Sequence, residues 1–286
     1  MTHSERIGLL YVTLAVAFFS TSPIFVRWAA PLSPYEVTVG RLATGALLVM
    51  ILARLSGQPL RPSRDDWSRF LGFGLVTALH FLFYIASLSF TTIAHSLTLV
   101  YTAPIFVTIA SAWFLHEPIP PRKWLGVFVA VIGVGILAGF EPHLTSQMII
   151  GDLLAFGSAV MYGLYSVAGR SQRKYYPLFT YAGAVYGIAA LWTLPAAALS
   201  FTPGGYGLRQ IGSIIALGIL SSGLGHTLYN AALRRTHATY VNLIATQEVT
   251  GGIILGILFL QEVPSFSSLL GVAMTLLGIA LVVISG

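Results

Sequence analysis

Cysteine is missing from all 286 residues, and charge is scarce: Asp, Glu, Lys and Arg together make up 8% of the chain. The first absence excludes disulfides and thiolate metal sites. The second excludes an ordinary soluble domain, whose wet surface takes about 25% charged residues. From Phe70 to His116, 47 positions pass without one of these four residue types. There is also no His-Glu-x-x-His to hold zinc and no P-loop to cradle ATP, so a zinc hydrolase of that type and a primary pump are excluded. Ser221-Ser222-Gly223 and His226 fall on one helix at a spacing that a hydrolase could use, but an intramembrane hydrolase is not expected. No enzyme activity, cofactor or metal is expected.

What fills the chain instead is apolar: 56% of residues are hydrophobic. Apolar runs of 18 or more residues are long enough, as helix, to cross about 30 Å of hydrocarbon. Ten such runs lie near 7–28, 35–54, 68–90, 94–115, 122–140, 150–170, 177–199, 210–233, 237–260 and 266–285. Breakers separate them, among them Pro31 and Pro34, Gly57-Gln58-Pro59, Pro118 to Pro121, Pro142, Pro177, Pro203-Gly204-Gly205 and Pro264. The predicted fold class is an all-α membrane protein of ten transmembrane helices. The first run follows Arg6 and ends in Ala29-Ala30, as a signal peptide does, yet nine further spans argue that it stays as an anchor.

The net charge of +6 is placed with a bias. If the N-terminus and every second loop share one side, that side holds Arg6, Arg54, Arg61, Arg64, Arg69, Arg122, Lys123, Arg170, Arg173, Lys174, Arg234 and Arg235. The other side holds Arg27 and Arg209, and Arg41 lies within a span. Twelve against two predicts both termini in the cytoplasm, by the positive-inside rule, with contact to the inner-leaflet lipid as a by-product. Nucleic acid is not an expected partner, because no basic stripe is interleaved with exposed aromatics.

The chain is also written twice. An offset of 145 pairs Tyr84 with Tyr229, Phe114-Leu115 with Phe259-Leu260, Glu117 with Glu262, Leu125-Gly126-Val127 with Leu270-Gly271-Val272, and Gly133 with Gly278. An offset of 143 pairs Gly8 with Gly151, Arg27 with Arg170, Pro34 with Pro177 and Gly40 with Gly183. The halves are residues 1–143 and 144–286, five spans each. Because five is odd, the second repeat must enter the membrane from the opposite side. Inverted repeats are a recurring design of secondary transporters, with the substrate near the midplane between halves.

Three blocks carry a resemblance over nearly the whole chain: Phe18 to Leu48, with its Arg-Leu-x-x-Ala-x-Leu second span; Leu99 to Leu137, with Phe-Leu-x-Glu and a glycine series; and its counterpart Thr246 to Val282. They resemble the EamA-like members of the drug/metabolite transporter superfamily. Departures are Phe19-Ser20 where the family often has Trp-Gly, and Val249 where a proline often follows the glutamate. The resemblance implies an inner-membrane exporter of small metabolites that works by alternating access. Within the family it points to exporters of aromatic and other neutral amino acids, acting as monomer or homodimer. The alternatives are a multidrug or other metabolite exporter of the superfamily and a non-cycling membrane channel.

Polar groups in apolar spans are costly and face a cavity or a partner. The ionisable ones are Arg41, His80, His95, Asp152, His226 and Glu248. His80, Tyr84 and Tyr101 are the expected contacts to a substrate ring, with Glu248 and Arg41 as polar determinants; Ser20, Gln247 and Asn230 are further candidates, beside Thr98, Tyr229 and Asn242. Glu248 is the expected acidic partner of Arg41. Glu117 and Glu262 end spans, and are expected to serve backbone N–H groups at the start of the next one rather than to gate. Gly126, Gly133, Gly135, Gly271 and Gly278 are expected to be packing surfaces.

Overall fold

The computed structural model describes residues 3–114, 121–139, 144–172, 175–233, 235, 241 and 244–284. Glu117 and Asn242 lie outside them. Among the described residues there is no strand, and eight helices are long and apolar enough to cross a membrane: His3–Trp28, Pro34–Leu55, Arg64–Phe90, Ile93–Phe114, Ser146–Gly169, Leu178–Leu199, Leu208–Ala232 and Phe266–Ile284. Gln247–Leu260 is a shorter apolar helix, and Pro121–Gly139 is a helix of 19 residues.

Several of these are broken into shorter pieces. The first consists of α1 (His3–Ser20) and α2 (Ser22–Trp28), parted at Thr21 just before Pro23. Helix α3 (Pro34–Leu55) and α4 (Trp67–Phe90) are continuous; α5 (Ile93–Val100) and α6 (Ala103–Phe114) are parted at Tyr101-Thr102 just before Pro104. In both breaks the proline lacks the N–H that a continuous helix would donate. Then come α7 (Pro121–Gly139), α8 (Ser146–Gln172) and α9 (Leu178–Leu199). Helix α10 (Leu208–Ala216) passes through a π-helical turn, Leu217–Gly225, into α11 (His226–Leu233). The chain ends in α12 (Gln247–Leu260) and α13 (Phe266–Ile284).

Close packing comes from small residues. Helix α7 lies along α13, and a Cβ on Gly278 would collide with the backbone of Ala130, one on Gly133 with that of Thr275 and one on Gly271 with that of Leu137. These glycines and Gly126 are packing surfaces, as expected, but Gly135 is not: it faces open space on the outer side of α7. Without a hydrophobic drive between helices in lipid, this close backbone approach is a main source of association. Helix α3 runs along α9, and α4 along α8 and α9. Trp124, Leu125, Phe128 and Val131 of α7 face outward, where a bilayer would cover them.

The two ends of the bundle are tied differently. At one end the 56–66 loop meets the start of α9: Phe179 N donates to Gln58 Oε1 at 3.1 Å and Thr180 Oγ1 to the Pro59 carbonyl at 2.5 Å. Tyr176 Oη donates to Asp66 Oδ2 at 2.5 Å, and this bond holds the phenol above its ordinary pKa. The other end begins at Ser33, which with Glu36 forms a capping box on α3. Glu36 also accepts from Thr202 N, Thr202 Oγ1 and Tyr206 Oη at 2.8–2.9 Å, pinning the α9–α10 loop. Desolvation and this carboxylate push the Tyr206 phenol up to about 12.

Glu262 lies at this second end. Gln261 adopts a left-handed conformation, φ 59°, and closes α12 with N–H bonds from Gln261 and Glu262 back to Ile257 and Gly256. That turn aims Glu262 at α5 rather than at α13. Its carboxylate accepts from the Ile93 N–H and pairs with Arg27 at 3.1 Å. The expected backbone N–H is there, but it starts α5, not the next span, and a cation shares the carboxylate.

Candidate functional site

The helix breaks and the π-helical turn meet around one buried chamber. It is lined by Phe19, Arg41, His80, Phe81, Tyr84, Val100, Tyr101, Tyr162, Ser221, His226 and Glu248. Phe19 comes from the last turn of α1, Tyr101 from the α5–α6 break, Glu248 from the first turn of α12 and Ser221 from the π segment. Broken helices expose backbone groups and re-aim side chains at mid-membrane, which bilayers tolerate where a protein cavity takes them. π segments likewise concentrate at functional sites.

Arg41 is the positive pole, 2% exposed. The sequence makes Glu248 its expected partner, and the structure corrects this: three serine hydroxyls hold it. Nε donates to Ser222 Oγ at 2.9 Å, Nη1 to Ser22 Oγ at 3.1 Å and Nη2 to Ser221 Oγ at 2.8 Å. The guanidinium lies 4.4 Å from the Phe81 ring centroid and 5.9 Å from that of Tyr84, a favourable cation–π placement. A guanidinium carries five N–H donors; three serine bonds leave one on each Nη. Ser221 and Ser222 therefore serve a cation, which accounts for the hydroxyls that a hydrolase reading would need as nucleophiles.

Glu248 is the negative pole, and Tyr101 Oη donates to its Oε2. Among the described residues, none bonds its other oxygen. Between the poles stand rings. His80 stacks on Tyr162 at 4.8 Å and 17° between planes, and His226 packs on Phe19 at 4.7 Å. His80 is fixed by α8: its Nδ1 meets Ser158 Oγ at 2.9 Å and the Ser158 carbonyl at 3.1 Å. A second cavity adjoins, sharing Tyr162 and His226. Its lining continues through Tyr165, Ser166, Tyr229 and Asn230 to Gln172, Tyr176 and Tyr181, at the bundle end that holds Asp66.

The structure thus gathers His80, Tyr84, Tyr101, Arg41 and Glu248 into one chamber and leaves three candidates outside it. Gln247 is exposed and takes a 3.3 Å bond from Thr250. Ser20 is buried against Gly251, and its hydroxyl is spent on the Val16 carbonyl at 2.8 Å. Asn230 lines the second cavity, its amide bonded to the His226 carbonyl at 2.7 Å. Sequence reasoning passed over Phe19, Phe81 and Tyr162. The repeat offsets contain them: Phe19 matches Tyr162 at 143, and Phe81 matches His226 at 145. The two charges break that pattern, since Arg41 matches Ala184 and Glu248 matches Ala103. The walls are duplicated and the poles are not.

Known proteins are similar to this chain over most of its length. The pseudopaline exporter CntI of Pseudomonas aeruginosa is 28% identical over 97% of this chain and 94% of its own. The aromatic amino acid exporter YddG of Ancylobacter novellus is 26% identical over 79% and 77%, and the threonine/homoserine exporter RhtA of Escherichia coli is 25% identical over 79% and 74%. One crystal structure of a protein shares the fold with a TM-score of 0.69 at 21% identity, covering 96% of this chain and 95% of that one. Residues 6–139 and 149–284 each match the EamA-like transporter family. The chain is a multi-pass membrane transporter, not an enzyme, and belongs to the EamA-like transporter family.

Proposed function

We propose that the protein is an inner-membrane secondary exporter of aromatic and other neutral amino acids, cycling by alternating access between two inverted five-helix halves, 1–143 and 144–286. The ten spans are the eight long helices together with α7 and the span that ends in α12. The twelve-to-two bias of cations puts both termini and the Tyr176 end in the cytoplasm, and the Glu262 end outside. Packing of α3 on α9 and of α7 on α13 supports the two-fold reading, since each pair joins equivalent spans of the two halves.

The observation that carries the substrate class is the pair of unlike poles in one ring-walled chamber. The two remaining N–H donors of Arg41 suit a carboxylate. The open oxygen of Glu248 suits an ammonium, and His80, Tyr84 and Tyr101 present ring faces and edges to an apolar side chain. A zwitterion satisfies both poles at once, so neither is left buried and unpaired. The amino acid exporters among the relatives support the same class.

The test is counterflow of labelled substrate in liposomes, against a panel of aromatic, neutral and cationic amino acids, nucleosides, cationic drugs and pseudopaline. Trans-stimulation by neutral amino acids is the expected result; flux without it would favour a channel. Glu248→Gln or His80→Ala is expected to slow export at normal expression. For Glu248→Gln the loss of a charge-assisted contact is about 3 kcal/mol, roughly a hundredfold. Unchanged rates in both variants would sink the site assignment. Faster exchange with pseudopaline than with any amino acid would move the substrate class toward that of the first relative.

A further inference from the structure

A further cavity lies at the Glu262 end and shares no lining residue with the chamber. Val26 and Arg27 of α2, Pro34 and Val37 of α3, and Ile85 and Ser89 of α4 stand on its wall. At the repeat offsets given above, Val26 matches Gly169, Pro34 matches Pro177 and Ile85 matches Asn230. Gly169 and Asn230 line the tyrosine-rich cavity of the opposite end, as do Tyr176 and Leu178 on either side of Pro177. Each cavity therefore sits among equivalent helices of its own half: α2, α3 and α4 in one, α8, α9 and α11 in the other. In inverted repeats, a passage on one side has its counterpart on the other.

The two cavities differ in how they meet the chamber. The tyrosine-rich one shares Tyr162 and His226 with it. The one at the Glu262 end stops short. Val26 is one turn beyond Ser22, Val37 is one turn before Arg41 and Ile85 is next to Tyr84; four residues of helix rise about 6 Å. Arg41 Nη1 donates to Ser22 Oγ at 3.1 Å, and both side chains are buried. The matching positions of the other half hold Tyr165 and Ala184, which offer no such cation. The Ser22–Arg41 bond thus marks the boundary between chamber and cavity.

Arg27 gives the cavity its chemistry. Its Nη2 donates to the Thr91 carbonyl at 2.9 Å and to Glu262 at 3.1 Å, which uses both N–H groups of that nitrogen. Its Nε is buried and has no hydrogen-bond partner among the described residues. A buried donor left unmet is costly, and a carboxylate meets a guanidinium N–H with a strong, charge-assisted bond. Glu262 already offsets the charge of Arg27, so a zwitterion enters without adding net charge.

On the exporter reading and the sidedness given above, we propose that this cavity is a second carboxylate-binding site, where Arg27 takes the substrate's carboxylate as Arg41 releases it on the way out. Parting of the Ser22–Arg41 bond joins the two spaces. A carboxylate that left Arg41 for a wall of Val26, Val37 and Ile85 alone would be buried unpaired; Arg27 gives it a partner further out.

The test is protection of a single thiol, and it needs no sidedness. The chain has no cysteine, so Ser89→Cys, at an exposed position on the cavity wall, supplies one site for a maleimide. In lipid nanodiscs, phenylalanine is expected to slow labelling of this protein, and phenethylamine, the same molecule without its carboxylate, is not. Adding Arg27→Gln should raise the half-protecting concentration of phenylalanine about tenfold or more, the worth of a hydrogen bond to a charged group. Adding Glu262→Gln, which breaks the same ion pair but leaves the Nε donor, should leave that concentration nearly unchanged. Arg41→Lys, which disables the chamber, should also leave the protection in place. If Arg27→Gln does not fold, Arg27→Lys keeps a cation for Glu262 without the Nε donor and should shift the concentration in the same direction. Equal protection by phenethylamine overturns the proposal. So does protection that survives Arg27→Gln and is lost with Arg41→Lys, which would be the chamber acting at a distance. No protection by phenylalanine overturns it whatever counterflow shows, whereas protection without phenylalanine counterflow keeps the site and overturns the substrate class instead.

Discussion

The two ends of this bundle are built from different chemistry around the same chamber. At the Glu262 end, six elements are joined by an ion pair, a histidine–carboxylate pair and bonds to helix-terminal backbone groups. At the Tyr176 end, two loops are joined by neutral hydrogen bonds and one phenol–carboxylate contact, and a tyrosine-lined cavity leads inward. Charge-assisted bonds are roughly twice as strong as neutral ones. Among the described residues, a tyrosine-lined cavity adjoins the chamber at Tyr162 and His226 on the Tyr176 side, while salt and hydrogen bonds join the helices on the other side. Under the alternating access proposed above, the bonded side is the shut one. A carrier needs the two ends to exchange these roles, so the latch must be strong enough to close and weak enough to release.

The largest effect is expected where both ends converge, at Arg41. Arg41→Lys keeps the charge but has three donors instead of five. Ser22, Ser221 and Ser222 would take all three, leaving none for a substrate carboxylate. Counterflow of a neutral amino acid is expected to fall about a hundredfold, on the order of 3 kcal/mol, while the corresponding amine without a carboxylate loses little. An equal loss for both would show that Arg41 holds helices together and touches no substrate.

A smaller effect tests the latch itself. Glu262→Gln keeps a carbonyl oxygen for the Ile93 N–H and removes the ion pair with Arg27. That pair is partly exposed, 29% and 24% at the two side chains, so its worth is about 1 kcal/mol or less. The expected outcome is a shift of up to about fivefold toward opening at that end, read as faster maleimide labelling of a cysteine placed at Ala94, a buried position on α5 of this cysteine-free chain, with little change in substrate affinity. No change in labelling would mean that the seal rests on the other contacts of that end, among them the bond of His95 Nδ1 with Asp152 at 2.9 Å.

How much of this was legible in the sequence follows from contrast. Arg41, His80 and Glu248 stand out because an ionisable residue in an apolar span is expensive, and all three do line the chamber. Tyr84 and Tyr101 were reachable for the same reason. Phe19 and Phe81 carry no such contrast, since a chamber wall and a lipid-facing wall use the same rings. Gln247 is next to Glu248, yet one step round a helix turns it by about 100° and sends it outward. Ser20 and Asn230 are polar for local reasons, each bonded to the carbonyl four residues back. Two of the three partners of Arg41 were hidden by the π-helical turn, which shifts the phase of Ser221 and Ser222 against α3 in a way no regular periodicity anticipates. The family itself was legible in the paired glycines and Phe-Leu-x-Glu blocks, because those residues serve backbone packing and helix ends common to the fold.

The smallest effect sharpens the comparison from the other side. Tyr176 Oη donates to Asp66 and accepts from Ser63 N at 3.1 Å, so Tyr176→Phe removes both ties between the 56–66 loop and the α8–α9 connection. The ring is retained, including its edge contact with Phe70 at 5.2 Å between centroids, and Asp66 keeps its bond to Arg69 at 3.0 Å. The phenol is solvent-near, so water replaces most of what is lost, and the cost is about 1 kcal/mol or less. Under the alternating access and sidedness proposed above, with the Glu262 end shut, these ties steady loops at the end that is not the barrier. Exchange rates are therefore expected to stay within about twofold of the parent, less than the shift expected at Glu262 for the same order of bond energy. A larger change in counterflow than Glu262→Gln produces would reverse the assignment, making the Tyr176 end the controlling gate and the Glu262 end a fixed clamp.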